Sequence, residues 1–241
     1  MRIGPGIHRL GDGTVNAYLL EESGSVTVID AGMPGFWNEL PGELEAMGRS
    51  VADIRALVLT HGHTDHIGFA ERLRRERNAP VSVNELDEAL ALGREKNTSG
   101  AGRIKLGPLL RFLFLGLRKG GLRPIFLTEV STYGDGATLD VPGSPRVTLV
   151  PGHSPGSAVL HVPARDSLFI GDAIATYSVT TGERGPQIAP FSQDRPRALE
   201  SLDRLTGVEA GLVLPGHGEP WTGGVAEAVR QVRAKAQVEA G

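Results

Sequence analysis

Thr60-His61-Gly62-His63-Thr64-Asp65-His66 comes directly after the apolar run Ala56-Leu57-Val58-Leu59, and its reading decides the fold. A short apolar run closed by polar residues reads as a buried strand. Four of the seven residues beyond that run are metal-ligand types. His61 and His63 are two apart, so in an extended segment both imidazoles point the same way. A turn at Asp65-His66 can aim a second pair at a point nearby.

Two further histidines stand in the same setting downstream, in Pro151-Gly152-His153-Ser154-Pro155-Gly156 and Pro215-Gly216-His217-Gly218. Between them Gly171-Asp172 follows the apolar run Leu168–Ile170. A lone His-x-His at a strand end is commonly just solvent-facing. Four such elements in order, each after a short apolar run, argue for a metal site. Imidazole and carboxylate donors suit Zn, and equally Fe or Mn. Three His on one ion, Asp plus two His on another and a shared carboxylate would make a two-metal site, its ions ~3.5–4 Å apart.

Outward from these clusters, strands and helices alternate in two roughly matched halves. Thr14–Leu20 and Val26–Asp30, separated by Glu21-Glu22-Ser23-Gly24-Ser25, read as a β-hairpin. Helices are predicted over Phe36–Met47, Ile67–Arg77 and Glu85–Glu95, with a strand at Pro80–Val83. The second half reads as strands at Val147–Val150, Ala158–Val162, Leu168–Ile170 and Leu212–Leu214, with helices at Arg197–Leu205 and Val225–Val238. This is an α/β pattern with helices covering sheet faces.

The chain has 241 residues, with 33 Gly, 16 Pro and no Cys, and one domain over 1–241 is expected. Absence of Cys excludes disulfides, thiolate metal ligands and a thiol nucleophile. Gly-x-Ser-x-Gly, the serine-hydrolase elbow, does not occur. Lys+Arg 25 against Asp+Glu 28 leaves a net charge of −3, so no nucleic-acid partner is expected. No apolar stretch is long enough to span a membrane. The start Met1-Arg2-Ile3-Gly4-Pro5 lacks the apolar core of a secretory signal, and a cytoplasmic protein is expected.

Residues 96–128 stand apart, with seven Lys or Arg and no acid, leaving −10 for the remainder. Within them Ile104–Leu117 is strongly apolar, and Gly100/Gly102 and Gly120/Gly121 flank it. Three readings are open: a helical lid forming an acyl pocket with cations for an anionic group, a packed helix or homodimer interface, and a membrane-surface contact.

His61-x-His63-x-Asp65-His66, His153, Asp172 and His217, with Val28-Ile29-Asp30-Ala31-Gly32 upstream, resembles the metallo-β-lactamase-fold superfamily over nearly the whole chain. The resemblance implies an αββα sandwich with metals at one edge of two sheets and a helical lid insertion at about 96–128. It implies that His61, His63 and His153 hold one Zn²⁺. Asp65, His66 and His217 would hold a second, Asp172 would bridge, and Asp30 would brace the His61–His66 loop.

The implied reaction is hydrolysis by a bridging hydroxide of a thioester, lactone or ester, with Asp65 as proton carrier. Departures from the family narrow this. Cys-ligated zinc β-lactamases are excluded, and the all-His/Asp subclass normally lacks the bridging Asp, which leaves β-lactam cleavage as a side reaction. The lactonases place Tyr three residues after that Asp. Ala175 holds the place here, and Tyr177 is the candidate substitute. Glyoxalase II carries a helical C-terminal domain, for which the 24 residues after His217 are too few. Flavodiiron proteins have Glu where His63 stands. Two alternatives stay open: a mononuclear Fe(II) persulfide dioxygenase using His61, His153 and Asp172, and non-catalytic lipid or partner binding through 96–128. His8, His161, Trp37 and Tyr133 read as structural. Arg184 and Gln187 read as part of a surface loop over Thr181–Pro190.

Overall fold

Side-chain alternation along single strands assigns the core to three layers. The computed structural model describes residues 1–100 and 102–240. Seven strands pair in chain order: β1 (Arg2–Gly4), β2 (Ile7–Gly11), β3 (Asn16–Glu22), β4 (Ser25–Ile29), β5 (Ile54–Val58), β6 (Val81–Asn84) and β7 (Ser131–Tyr133). The first four are antiparallel, and β4 to β7 are parallel. The β3–β4 hairpin turns at Ser23-Gly24, both at positive φ (50° and 86°). A two-residue type I′ turn needs that sign at both positions.

The second sheet has the order β13 (Leu212–Pro215), β10 (Ser167–Gly171), β9 (Ala158–Val162), β8 (Arg146–Leu149). Strand β10 runs parallel to β13 and antiparallel to β9, which is antiparallel to β8. Two reversals restore direction, so β8, β10 and β13 all end at one edge.

Ala17 and Leu19 of β3 join a core with Leu40, Leu44 and Leu73, from α1 (Leu40–Glu45) and α2 (Ala70–Arg77). The alternate residues Tyr18 and Leu20 face the second sheet and meet Leu160, Phe169 and Leu214. Tyr18 and Phe169 contact edge-on, ring centroids 5.5 Å apart. On the far side Leu168, Ile170 and Val213 pack against Ala198 of α5 (Arg195–Ser201) and Val225, Ala228 and Val232 of α6 (Val225–Ala240). The order helix–sheet–sheet–helix is the expected αββα sandwich.

Several elements differ from the sequence reading. Pro41 limits the predicted Phe36–Met47 helix to a 3₁₀ turn at Pro34–Asn38 and the short α1. Glu85–Glu95 yields a 3₁₀ turn and only one α-helical turn, α3 (Glu88–Ala91). Thr181–Pro190 is not a plain surface loop, because β12 (Arg184–Gln187) pairs with β11 (Ala175–Tyr177). Strands β1, β2 and β7 were not predicted.

Within 96–128, α4 (Leu106–Arg118) lies across both halves. Phe112 and Leu115 pack on the first core. The amide of Lys105 donates to the Thr180 carbonyl (2.8 Å), and the amide of Gly35 donates to the Lys119 carbonyl (2.8 Å). Both ends of the helix are therefore anchored. No helix among the described residues is long and apolar enough to cross a membrane.

Candidate metal centre

Each donor is delivered by a strand end. The His61–His66 loop follows β5, His153 follows β8, Asp172 follows β10 and His217 follows β13. Five histidines and one aspartate become buried together, while Asp65 keeps partial exposure. Three groups of donor atoms converge: His61, His63 and His153; His61, His66 and Asp172; Asp65, His66 and His217. Within each group the atoms lie within 4.8 Å of one another. Asp172 sits centrally, with Oδ2 at 3.1 Å from His217 Nε2 and 3.3 Å from His153 Nε2, and Oδ1 at 3.6 Å from His66 Nε2.

Four of these atoms, His61 Nε2, His63 Nε2, His66 Nε2 and Asp172 Oδ1, are buried with no hydrogen-bond partner. An orphaned buried polar atom costs about 1–3 kcal/mol, and four of them within these overlapping donor groups fit metal cations as the missing partners. The outward ring nitrogens are held. His66 Nδ1 meets Asp30 Oδ2 at 2.9 Å, His217 Nδ1 meets the Thr14 carbonyl at 2.6 Å and His153 Nδ1 meets Ser192 Oγ at 3.2 Å. Such contacts fix tautomer and ring orientation.

Asp30 also accepts from the Thr60 amide (2.7 Å) and hydroxyl (2.8 Å). It sits at positive φ (58°), where Asp is one of the few tolerated side chains. Asn16 Nδ2 donates to the carbonyls of Pro215 and Gly218, clamping the His217 loop from across the sandwich.

One organising residue escaped the sequence reading. Asp87 is fully buried and accepts from the Gly62 amide (2.8 Å), the Gly156 amide (2.6 Å) and Ser154 Oγ (2.6 Å). It ties the loop of His61 and His63 to the loop of His153. Its only sequence signal was one acid among several after β6.

Tyr177 is not brought into this cluster. Its ring lies beside Arg184 (5.6 Å), lining a small cavity with Thr14 and Gly218 rather than the one at His63 and Asp65. His8 pairs with Glu43 and His161 with the Glu209 carbonyl, both away from the centre. Tyr133 is buried, its hydroxyl donating to the Leu59 carbonyl (2.5 Å), and Trp37 packs against Phe69.

Burial pushes His61, His63 and His153 below the usual imidazole range, which favours the neutral form that binds metal. Burial opposes charge on His66 and His217 too, but Asp172 and neighbouring carboxylates outweigh it and hold them at about 10 and about 9. Burial alone would raise Asp172, yet His217, His66 and His153 keep it well below the carboxylate range.

In chelator-treated protein at pH 8, both raised imidazoles carry protons that a metal must displace. Metal addition should therefore release about two protons per chain near pH 8 and progressively fewer above pH 9–10, read by a pH indicator in weak buffer. The same shifts set the stability of the metal-free form. Folded values above the unfolded ~6.5 mean a stabilisation fully present below pH 6.5 and lost as pH rises through 9–10.

Gly216 packs directly on the cluster. A Cβ there would meet Asp172 Oδ1 at 2.3 Å and His66 Cε1 at 2.5 Å. Gly216→Ala should lower stability by about 1–3 kcal/mol through overpacking. It should also weaken metal binding at the Asp65, His66 and His217 group, as read by chelator competition.

Residues 10–217 match the metallo-beta-lactamase superfamily. The chain is 28% identical over 239 residues to the probable metallo-hydrolase YflN of Bacillus subtilis (strain 168), covering 90% of this chain and 86% of that protein. It is 30% identical over 216 residues to the acyl-coenzyme A thioesterase MBLAC2 of Bos taurus, covering 84% and 72% respectively. Among solved structures, TTHA1623 in a di-iron-bound form superposes with a TM-score of 0.65 at 27% identity, over 93% of this chain and 97% of that one. The donor edge, the αββα layers and these likenesses agree: the chain belongs to the metallo-β-lactamase superfamily of metallohydrolases.

Proposed function

We propose that the chain is a dinuclear metal-dependent hydrolase of thioesters carrying an apolar acyl group. The observation that carries this reading is a cavity of about 430 Å³ running from His63 and Asp65 beneath α4, walled by Leu90, Phe112, Leu113 and Phe126. An acyl chain seated among those side chains places its carbonyl at the donor cluster. The thioesterase activity named for MBLAC2 supports the same substrate class.

His61, His63 and His153 would hold one metal ion and Asp65, His66 and His217 a second, with the Asp172 carboxylate available to both groups. Such ions lower the pKa of water to ~7 and polarise a carbonyl oxygen. The chain supplies the rest. Phe112, its ring 6.3 Å from that of His217, forms an apolar wall of the cavity beside the centre. Asp65, half-buried at the mouth of the cavity, takes a proton from the attacking water and returns it to the leaving sulfur. The water oxygen bonds to the carbonyl carbon, the C–S bond breaks, and acid and thiol leave. Asp30 and Asp87 keep the ligand loops in place.

A panel of acyl-CoA thioesters of increasing chain length tests this on zinc-loaded protein. Burial of each methylene is worth ~0.8 kcal/mol, so kcat/KM should rise about fourfold per added CH₂ until the cavity is full. A flat profile, or no turnover across the panel, overturns the reading. Elemental analysis should give about two metal ions per chain. One iron per chain with oxygen uptake on glutathione persulfide would replace hydrolysis by dioxygenase chemistry.

A further inference from the structure

Helix α4 is apolar on both sides. Its inner side carries Leu109, Phe112 and Leu115. Leu106, Leu110, Leu113, Phe114 and Leu117 follow the i, i+4, i+7, i+8, i+11 spacing of one helical stripe, and all five are exposed, Leu106 by 70% and Leu117 by 64%. Among the described residues twelve large apolar side chains are exposed, and nine of them fall between Ile104 and Phe126. The stripe cannot be buried by rolling the helix inward, because Lys105 and Lys119 are bonded to opposite halves of the sandwich.

Charge identifies what covers it. Residues 96–128 carry seven cations and no acid on a chain of net −3. Three of the seven are paired, Lys105 with Glu183, Arg111 with Asp12 and Lys119 with Glu39. Lys96, Arg103, Arg118 and Arg123 make no ion pair among the described residues. A two-fold contact between copies repeats the same patch on both sides and would bring two surfaces of the same positive sign together. A face of Leu and Phe bordered by Arg and Lys is instead the pattern of a helix lying in the plane of a lipid interface. At 13 residues α4 is too short to span a bilayer, which takes ~20.

We propose that the outer face of α4, with Leu122 and Ile125 beside it, docks on an anionic phospholipid bilayer. Leu113, Leu122 and Phe126 belong both to this face and to the wall of the cavity that reaches His63 and Asp65. A docked molecule therefore opens its acyl cavity towards the lipid, and an amphiphilic substrate moves from bilayer to centre without crossing water. That last consequence rests on the thioesterase reading; the docking itself does not.

The test is vesicle flotation with the zinc-loaded full chain. Phosphatidylcholine vesicles are compared with vesicles in which about one third of the lipid is phosphatidylglycerol. The chain should float with the anionic vesicles alone and be released by ~1 M salt, where screening lengths fall to ~3 Å. Arg103→Glu with Arg123→Glu should lower partition at least 25-fold, at about fivefold for each cation lost. Leu110→Asp with Leu117→Asp should abolish flotation, with the melting temperature and turnover of a water-soluble thioester unchanged. Failure to float with either vesicle, or equal flotation with both, overturns the proposal. So does a dimer in sedimentation that Leu110→Asp dissociates, which would make a second copy the occupant. Flotation reads docking without turnover, so it can fail while hydrolysis stands, and hydrolysis can fail while docking stands.

Discussion

Asp172→Asn should cut kcat/KM by ~10³-fold or more, the scale of the several kcal/mol that a metal site contributes to transition-state stabilisation, and should leave fewer than two metal ions bound per chain. The carboxylate is buried and faces His153, His66 and His217 within 3.1 to 3.6 Å, at the centre of the donor cluster. The amide keeps the shape and loses the charge. In metal-free protein the same change removes the partner of two buried imidazolium rings, and breaking such a pair costs about 3–5 kcal/mol. The loss should fall near the lower figure, because burial then drives the protons off His66 and His217. Urea unfolding in chelator measures this. Proton release on metal addition should shrink in parallel. A variant that still binds two ions and turns over within tenfold of the parent would remove Asp172 from the bridging position.

Asp87→Ala is the second large effect, and it involves no proposed metal ligand. Two backbone amides and a serine hydroxyl lose their acceptor inside the protein. Ser154 Oγ can still donate to Ser157 Oγ (3.0 Å), so two amides are left unsatisfied, and at about 1–3 kcal/mol for each stability should fall by at least about 2 kcal/mol. Groups that orient ligands from behind typically matter 10–100-fold in metal affinity. Chelator competition should show that loss at the His61, His63 and His153 group, with the other group less affected. Asp87→Asn retains one acceptor oxygen and should recover part of both. If affinity is unchanged while stability drops, Asp87 is a structural tie alone.

The contrast between these two residues says what the sequence could carry. Asp172 was legible because its signal is local: an apolar run, a glycine, then the carboxylate. The same holds for His61 to His66, His153 and His217; the periodicity around them carried only an α/β pattern, and the αββα sandwich came from the family resemblance those residues bear. Asp87 was not legible, because its partners lie 25, 67 and 69 residues away and only the closed sandwich brings them together. The β11–β12 pair hid behind Gly and Pro, which weaken a strand signal without forbidding an edge pairing. Tyr177 was placed by distance from Asp172, but β11 turns its ring towards Arg184 instead. The sequence left 96–128 open between lid, packed helix or dimer interface and membrane contact, because a helix apolar on most sides does not say which of its faces is covered.

The split origin of the donors has a consequence for how the protein is made. His61 to His66 come from one sheet, and His153, Asp172 and His217 come from the other. The bonds that close the site join residues about 200 positions apart, Asn16 to Pro215 and His217 to Thr14. A nascent chain that ends before His217 holds at best one set of donors, with the opposing clamp still unsynthesised. On the two-ion proposal, full loading with metal should therefore follow synthesis rather than accompany it. Metal starvation during growth should yield folded apoprotein that is competent to load afterwards, rather than chains lost during synthesis.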